Sequence, residues 1–304
     1  MAHHHHHHHE HHAQSESLNK IFIISIILNV SFVVVEAVIG WLEGSLSLLS
    51  DAGHNLSDVF SLLLVLVAFQ LAKVHSNKNF TYGYKKSTVL ISLLNAIILL
   101  VAVGAIIVES VHKLRSTDWM VNGVAVSWTA GVGILINGLT TLLLMKGQKD
   151  DLNVRGAFLH MAADTLVSVG VVISGLIIYY TGWNIIDPIV SLIIAIVILV
   201  STWELLRDSL RLSLDGMPEG VQLDEIEAEI KEAEHVNDVH HLHIWAISTT
   251  ENALTAHIVI DDIANQHEVK CALKHHLAEH GIQHATLEIE TIEEGCTEHD
   301  CDCH

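Results

Sequence analysis

Basic residues are scarce in this chain: Lys and Arg number 15 against 35 Asp and Glu, a formal net charge of −20. Such a balance repels nucleic acid and anionic lipid surfaces and attracts cations. No nucleic-acid partner is expected, and a metal ion fits better than a phosphate compound. Cysteine is scarce too, with three of the four residues crowded into the last nine positions, so a framework of structural disulfides is not expected. No His-Glu-x-x-His pattern occurs, which removes the commonest helical signature of a zinc hydrolase. The segment before the first apolar run is histidine-rich rather than a short basic region, so no cleavable signal peptide is expected there.

What the chain has in quantity is apolar side chains, half of all residues, gathered into runs of about twenty, the number of helical residues that crosses a bilayer. The runs cover Ile21 to Trp41, Leu46 to Ala72, Thr88 to Val111, Val124 to Met145, Ala157 to Tyr180 and Ile185 to Leu206, predicting six spans in a lipid bilayer. Lys20, Lys73, Lys78, Lys85, Lys86, Lys146, Lys149, Arg155, Arg207 and Arg211 fall on one side of these spans, and only Lys113 and Arg115 on the other. The positive-inside rule then puts both termini in the cytoplasm. Trp41, Trp119, Trp128 and Trp183 lie near the outer ends, as interfacial anchors do.

From Asp215 onward the chain turns polar, with 21 Asp and Glu against three Lys, so the net charge resides almost wholly in a soluble tail. Periodicity in the tail predicts a helix from Val221 to Glu234, strands from Asp238 to Thr249 and Asn252 to Ile260, a helix from Asn265 to His280, and a strand from Thr286 to Ile292. That α-β-β-α-β order is a small α+β layer near the lower size limit of a self-sufficient core, which dimerisation would support. The chain therefore divides into a disordered histidine-rich head at 1–19, a six-span all-α membrane domain at 20–212, a cytoplasmic α+β domain at 213–293 and a Cys/His-rich tail at 294–304. The head tract, His3 to His9 with His11 and His12, is of the kind that binds divalent metals loosely.

Ionisable side chains are costly inside a bilayer, so each one within a span is a functional candidate. His54 and Asp58 in the second run stand four residues apart, on one helical face, and His160 and Asp164 repeat the spacing in the fifth. Two such pairs supply two imidazole nitrogens and two carboxylate oxygens, the number and kind of donors that tetrahedral Zn²⁺ prefers. Two aspartates also neutralise one divalent cation, and protons would neutralise them in its absence. A single His-x3-Asp pair serves equally well as interhelical hydrogen-bond glue; it is the duplication on two spans that points to metal. Asp51 reads as a helix cap, and Asn29, Glu36, Asn95 and Asn137 as cavity walls or interhelical hydrogen bonds.

These motifs resemble the cation diffusion facilitator family of zinc transporters. The resemblance is carried by Gly44 to Asp58, by Thr81-Tyr82-Gly83-Tyr84, by Asn95, by the His160/Asp164 pair, by Asp187-Pro188-Ile189-Val190-Ser191 and by His241-Leu242-His243-Ile244-Trp245. It implies a homodimer of six-span subunits in a bacterial inner membrane, with a copper-chaperone-like cytoplasmic domain. It also implies efflux of Zn²⁺ in exchange for protons by alternating access, through His54, Asp58, His160 and Asp164. His rather than Asp at position 54 implies a preference for zinc over cadmium. A second site in the tail domain is implied at His240, His257, His284 and Glu290, with His241 and His243 outside it. Cys296, Cys301 and Cys303 resemble a thiolate tail of some animal relatives, though their spacing differs. Lys86 and Asp215 fall where the family has a charge interlock between subunits. Efflux of a broader set of divalent cations (Cd²⁺, Co²⁺, Ni²⁺) is the alternative reading. A membrane-anchored metal sensor or buffer is another, and it leaves the four polar side chains within the spans unexplained.

Overall fold

The structure is a computed structural model and describes residues 7–42, 46–115, 123–149, 151–181, 183 and 185–292. At some of these, including 7–19 and 46–54, the backbone alone is described. The chain divides into two compact units, residues 1–209 and 210–304.

Unit one holds six long helices among the described residues: α1 (His7–Leu42), α2 (Leu46–Ala72), α3 (Ser87–Arg115), α4 (Gly123–Leu144), α5 (Leu152–Thr181) and α6 (Ile186–Ser213), the last running on into unit two. They coincide with the six apolar runs to within a few residues at most ends. The exceptions are α6, which continues seven residues past Leu206, and α1, which carries helical backbone back to His7, through most of the segment expected to be a disordered head. α3, and α6 from Pro188, are each long and apolar enough to cross a membrane; shorter apolar stretches occur at Lys20–Val35, Asp58–Ala72 and Gly131–Leu144. Pro188 lies in the first turn of α6, where a missing backbone donor costs least.

The polarity of this unit is inverted relative to a water-soluble bundle. Ile27, Val34, Val67, Val101, Leu135, Leu142, Ile193 and Val200 lie exposed on its outside, while Asn29, Asn55, Asp58, Ser92, Asn95, Asn137, Thr140 and His160 are buried within. An apolar exterior of this kind would drive association in water and is stable against lipid. Interior polar groups join helices, as expected of Asn29: its Nδ2 donates to Thr140 Oγ1 (3.3 Å), tying α1 to α4, and Ser92 Oγ meets Ser209 Oγ at 2.8 Å between α3 and α6. α2 packs against α1, α3 and α5, and its Asp58 meets His160 of α5.

The longest connection, between α2 and α3, is built on local hydrogen bonds. Asn77 Oδ1 accepts from the amides of Asn79 and Phe80, both at 2.9 Å. Gly83 follows at φ +72°, and a Cβ there would stand 2.8 Å from the carbonyl oxygen of Val74, so this turn requires glycine.

Unit two contains α7 (Leu223–Lys231), β1 (Val236–Ala246), β2 (Asn252–Ile260), a 3₁₀ turn (Ile263–Asn265), α8 (Gln266–Glu279) and β3 (Ile282–Thr291). The sheet order is β1-β2-β3, with β1 antiparallel to β2 and β2 parallel to β3 through the α8 crossover. Alternation on β2 buries Ala256, Ile258 and Ile260 with Ile226 and Ile230 of α7 and Leu273 and Leu277 of α8, so both helices cover one face of the sheet. His257, between buried residues of β2, is directed to the other face.

The element order is the one predicted, with shifted ends. β3 starts four residues early because Ile282 is buried in register with Asn252, and Gly281 (φ +77°) turns the chain off α8. β1 stops at Ala246 because Ser248 Oγ accepts from the amides of Thr250 (3.1 Å) and Glu251 (2.9 Å), closing a turn. The β1–β2 ladder is interrupted between His240 and His243, where His241 adopts φ +50°. This is a β-bulge, and it breaks the regular alternation of side chains between faces.

Candidate metal centres

The first centre lies where α2 meets α5 inside unit one. Asp58 and His160 are 1% and 7% exposed, and Asp164, one turn beyond His160, is partly buried. His160 Nε2 stands 2.7 Å from Asp58 Oδ1 and 3.9 Å from Asp164 Oδ2, so one donor atom from each of the three residues falls within 4.8 Å of the other two. His54 is on α2 one turn before Asp58; its side chain lies outside the described residues.

The distances have a chemical meaning. Ligand atoms about 2.05 Å from a tetrahedral zinc are about 3.3 Å from one another. The 2.7 Å contact between His160 and Asp58 is shorter than such an edge and is a charge-assisted hydrogen bond. A buried imidazole and carboxylate are thus joined through a proton on atoms of the kind that also bind metal ions.

The second centre lies on the open face of the sheet in unit two. His240 on β1 is in register with His257 on β2, and Glu290 reaches both from β3. Glu290 Oε1 is 2.6 Å from His257 Nδ1, and Glu290 Oε2 is 3.4 Å from His240 Nε2, close to a tetrahedral edge. His240 Nε2 and Glu290 Oε2 are buried without a hydrogen-bond partner, the kind of deficit that a bound cation removes.

His284 is not brought to this group. It pairs with Ala253 at the far end of β3, six residues from Glu290, or about 20 Å along a strand. Two residues outside the expected set are present instead. Glu288 shares a strand face with Glu290 and its Oε2 is 3.6 Å from His257 Nε2. The His241 ring centroid is 4.9 Å from that of His257 and 5.2 Å from that of His240. The two-residue spacing of Glu288 and Glu290 was a readable signal, but nothing local in the sequence announces the bulge that brings His241 in. Cys296, Cys301 and Cys303 lie outside the described residues.

At the start of β1 and the end of β2, His235 Nδ1 meets Asp261 Oδ2 at 3.0 Å. That hydrogen bond holds His235 above the ordinary histidine value and Asp261 below the ordinary carboxylate value. Partial burial pushes the Asp238 carboxyl upward, but the hydrogen bond from Lys231 and the backbone amide of Val239 outweigh it, and its pKa is lowered.

A bundle with an apolar exterior and a buried ionisable cluster, followed by a cytoplasmic-type α+β unit bearing histidines, defines a membrane metal transporter rather than an enzyme. Residues 22–212 match the cation efflux transmembrane domain, and residues 218–292 match the cation efflux protein cytoplasmic domain. The chain belongs to the cation efflux, or cation diffusion facilitator, family. It is similar to the cadmium, cobalt and zinc/H(+)-K(+) antiporter of Bacillus subtilis (strain 168), 36% identical over 90% of this chain and 89% of that one. It is likewise similar to the zinc transporter ZitB of Escherichia coli (strain K12), 37% identical over 90% of this chain and 86% of that one. The metal cation efflux system protein CzcD of Cupriavidus metallidurans is 36% identical over 88% of this chain and 85% of that one. A solved structure of the metal-bound C-terminal domain of the CzcD transporter aligns with 23% of this chain and 99% of its own, at 38% identity and a TM-score of 0.22.

Proposed function

We propose that this protein exports Zn²⁺ from the cytoplasm in exchange for protons, through His54, Asp58, His160 and Asp164. The observation that carries the reading is the buried 2.7 Å contact between His160 and Asp58 at the α2–α5 contact, with Asp164 one turn away. Proton and metal compete there for the same lone pairs, so exchange of one for the other needs no second site. Histidine suits the task because its reference pKa of about 6.5 is within reach of physiological pH. Two aspartates balance the charge of one Zn²⁺.

In this reading all six helices of unit one cross a bacterial inner membrane, with both termini cytoplasmic, and two copies assemble through unit two. His240, His257 and Glu290 hold a regulatory Zn²⁺ on the open sheet face, with Glu288 and His241 beside it. A broader cargo is the second reading, favoured by the relative whose name includes cadmium and cobalt. Zn²⁺ flux in proteoliposomes under an imposed pH gradient tests the proposal. Gradient-driven flux is expected to vanish in Asp164→Ala and to persist at a reduced rate without unit two. Transport by Asp164→Ala at the wild-type rate would overturn the site, and flux indifferent to the gradient would overturn the proton coupling. Substituting Cd²⁺ and Co²⁺ for Zn²⁺ in the same vesicles separates the two cargo readings.

A further inference from the structure

On the helical side of unit two, opposite the sheet face that carries His240 and His257, a third group of donors converges. Glu229 of α7 is three residues past buried Ile226, and His276 of α8 is three past buried Leu273. Both therefore flank the apolar stripes by which the helices meet the core, at the seam between α7 and α8. His280 is the C-cap of α8, one turn beyond His276, so both imidazoles lie on one side of the helix. Their Nε2 atoms each stand 3.2 Å from the same atom, Glu229 Oε2, and their ring centroids are 4.9 Å apart. Side chains from 33% to 43% exposed leave the group open to the solvent.

We propose that Glu229, His276 and His280 form a third metal site, which binds a borderline divalent cation such as Zn²⁺ and pins α7 to α8. Two imidazole nitrogens and a carboxylate oxygen are a known zinc donor set, with the fourth position left to water. The 3.2 Å separations lie close to the edge of about 3.3 Å that tetrahedral zinc imposes on nitrogen and oxygen ligands, so little rearrangement is needed on binding. Glu279, with Oε2 3.9 Å from His276 Nδ1, adds a second carboxylate beside the imidazoles and raises the local attraction for a cation. Carboxylate and imidazole together exclude Mg²⁺ as the preferred ion, because Mg²⁺ keeps oxygen ligands and its water shell. The site shares no residue with the α2–α5 cluster, and its side chains are open to solvent.

The test is residue-resolved histidine carbethoxylation of the full-length protein in detergent, read by tandem mass spectrometry across a Zn²⁺ titration. Zn²⁺ is expected to slow modification of His276 and His280 together, with a shared midpoint and by about tenfold or more at saturation. His275, on the same α8 turn and 72% exposed, is the internal control and is expected to react at an unchanged rate. Mg²⁺ at the same concentration is expected to give no protection. Glu229→Ala is expected to raise the Zn²⁺ midpoint by about tenfold or more, the scale of loss seen when even an outer-shell partner of a metal site is removed. Equal rates with and without Zn²⁺ at His276 and His280 in the wild-type protein would overturn the proposal, and so would protection that Glu229→Ala leaves unchanged. Asp164→Ala, which removes the proposed transport function, is expected to retain the protection, so failure of one reading is separable from failure of the other.

Discussion

Asp58→Asn is the substitution that presses hardest on the α2–α5 cluster. The side chain is 1% exposed, and the amide keeps both its volume and an oxygen able to face His160 Nε2, so the fold has little reason to respond. What changes is charge. With Asp58 and Asp164 both ionised, a bound Zn²⁺ is neutralised; with asparagine, one positive charge is left over in a buried site. One unit-charge interaction at about 4 Å and an effective dielectric of about 20 is worth about 4 kcal/mol. At 1.36 kcal/mol per decade that is about three orders of magnitude in Zn²⁺ affinity. The assay is Zn²⁺ uptake by proteoliposomes across a range of external Zn²⁺ at fixed pH gradient, with a zinc-sensitive dye inside. Asp58→Asn is expected to move the half-saturating concentration beyond the accessible range, with reconstituted protein amount and thermal unfolding near wild type. A half-saturating concentration within about tenfold of wild type would refute the reasoning, because a cation held by this carboxylate could not be so indifferent to its charge.

Three further outcomes follow from the same structure. His257→Ala is expected to abolish Zn²⁺ protection of His240 against carbethoxylation, whereas His284→Ala, six strand residues from Glu290, is expected to leave it intact. The His235–Asp261 pair makes the stability of unit two depend on pH. His235 is raised, so its contribution is full below about pH 6.5 and is lost as pH rises through the higher folded value; Asp261 is lowered, so its contribution is present above about pH 4 and is lost only in more acid solution. Hydrogen exchange at β1 and β2 is therefore expected to show a larger gap between wild type and His235→Ala at pH 5.5 than at pH 8.5. Gly83→Ala places a Cβ 2.8 Å from the Val74 carbonyl at φ +72° and is expected to cost more than about 1 kcal/mol, read as a lower thermal midpoint in detergent.

Much of this architecture was legible before any coordinates. Apolar runs of bilayer length gave six helices, and period-two alternation gave the strands, because both signals lie within one element. The errors fell where a boundary depends on a partner: β3 begins at Ile282 because β2 offers Asn252 in register, and no residue near Ile282 says so. The separation of His284 from Glu290 within one chain is of the same kind. That distance matters only once the segment is known to be extended, since six residues span about 20 Å in a strand and about 9 Å in a helix.

Sequence alone was enough to put His160 and Asp164 on one side of α5, because a spacing of four places two side chains on one face of any α-helix, whatever surrounds it. Helical geometry is local, and a spacing of four carries its own meaning. The tertiary structure was needed to show which helices face each other, so that Asp58 of α2 meets His160 of α5 across 102 positions. It alone revealed that a bulge at His241 sets three histidine rings side by side on the sheet. It alone joined Glu229 to His276 and His280. Those contacts are set by register and by how two buried stripes dock, and such choices are made by the packing of the whole unit, not by any segment within it.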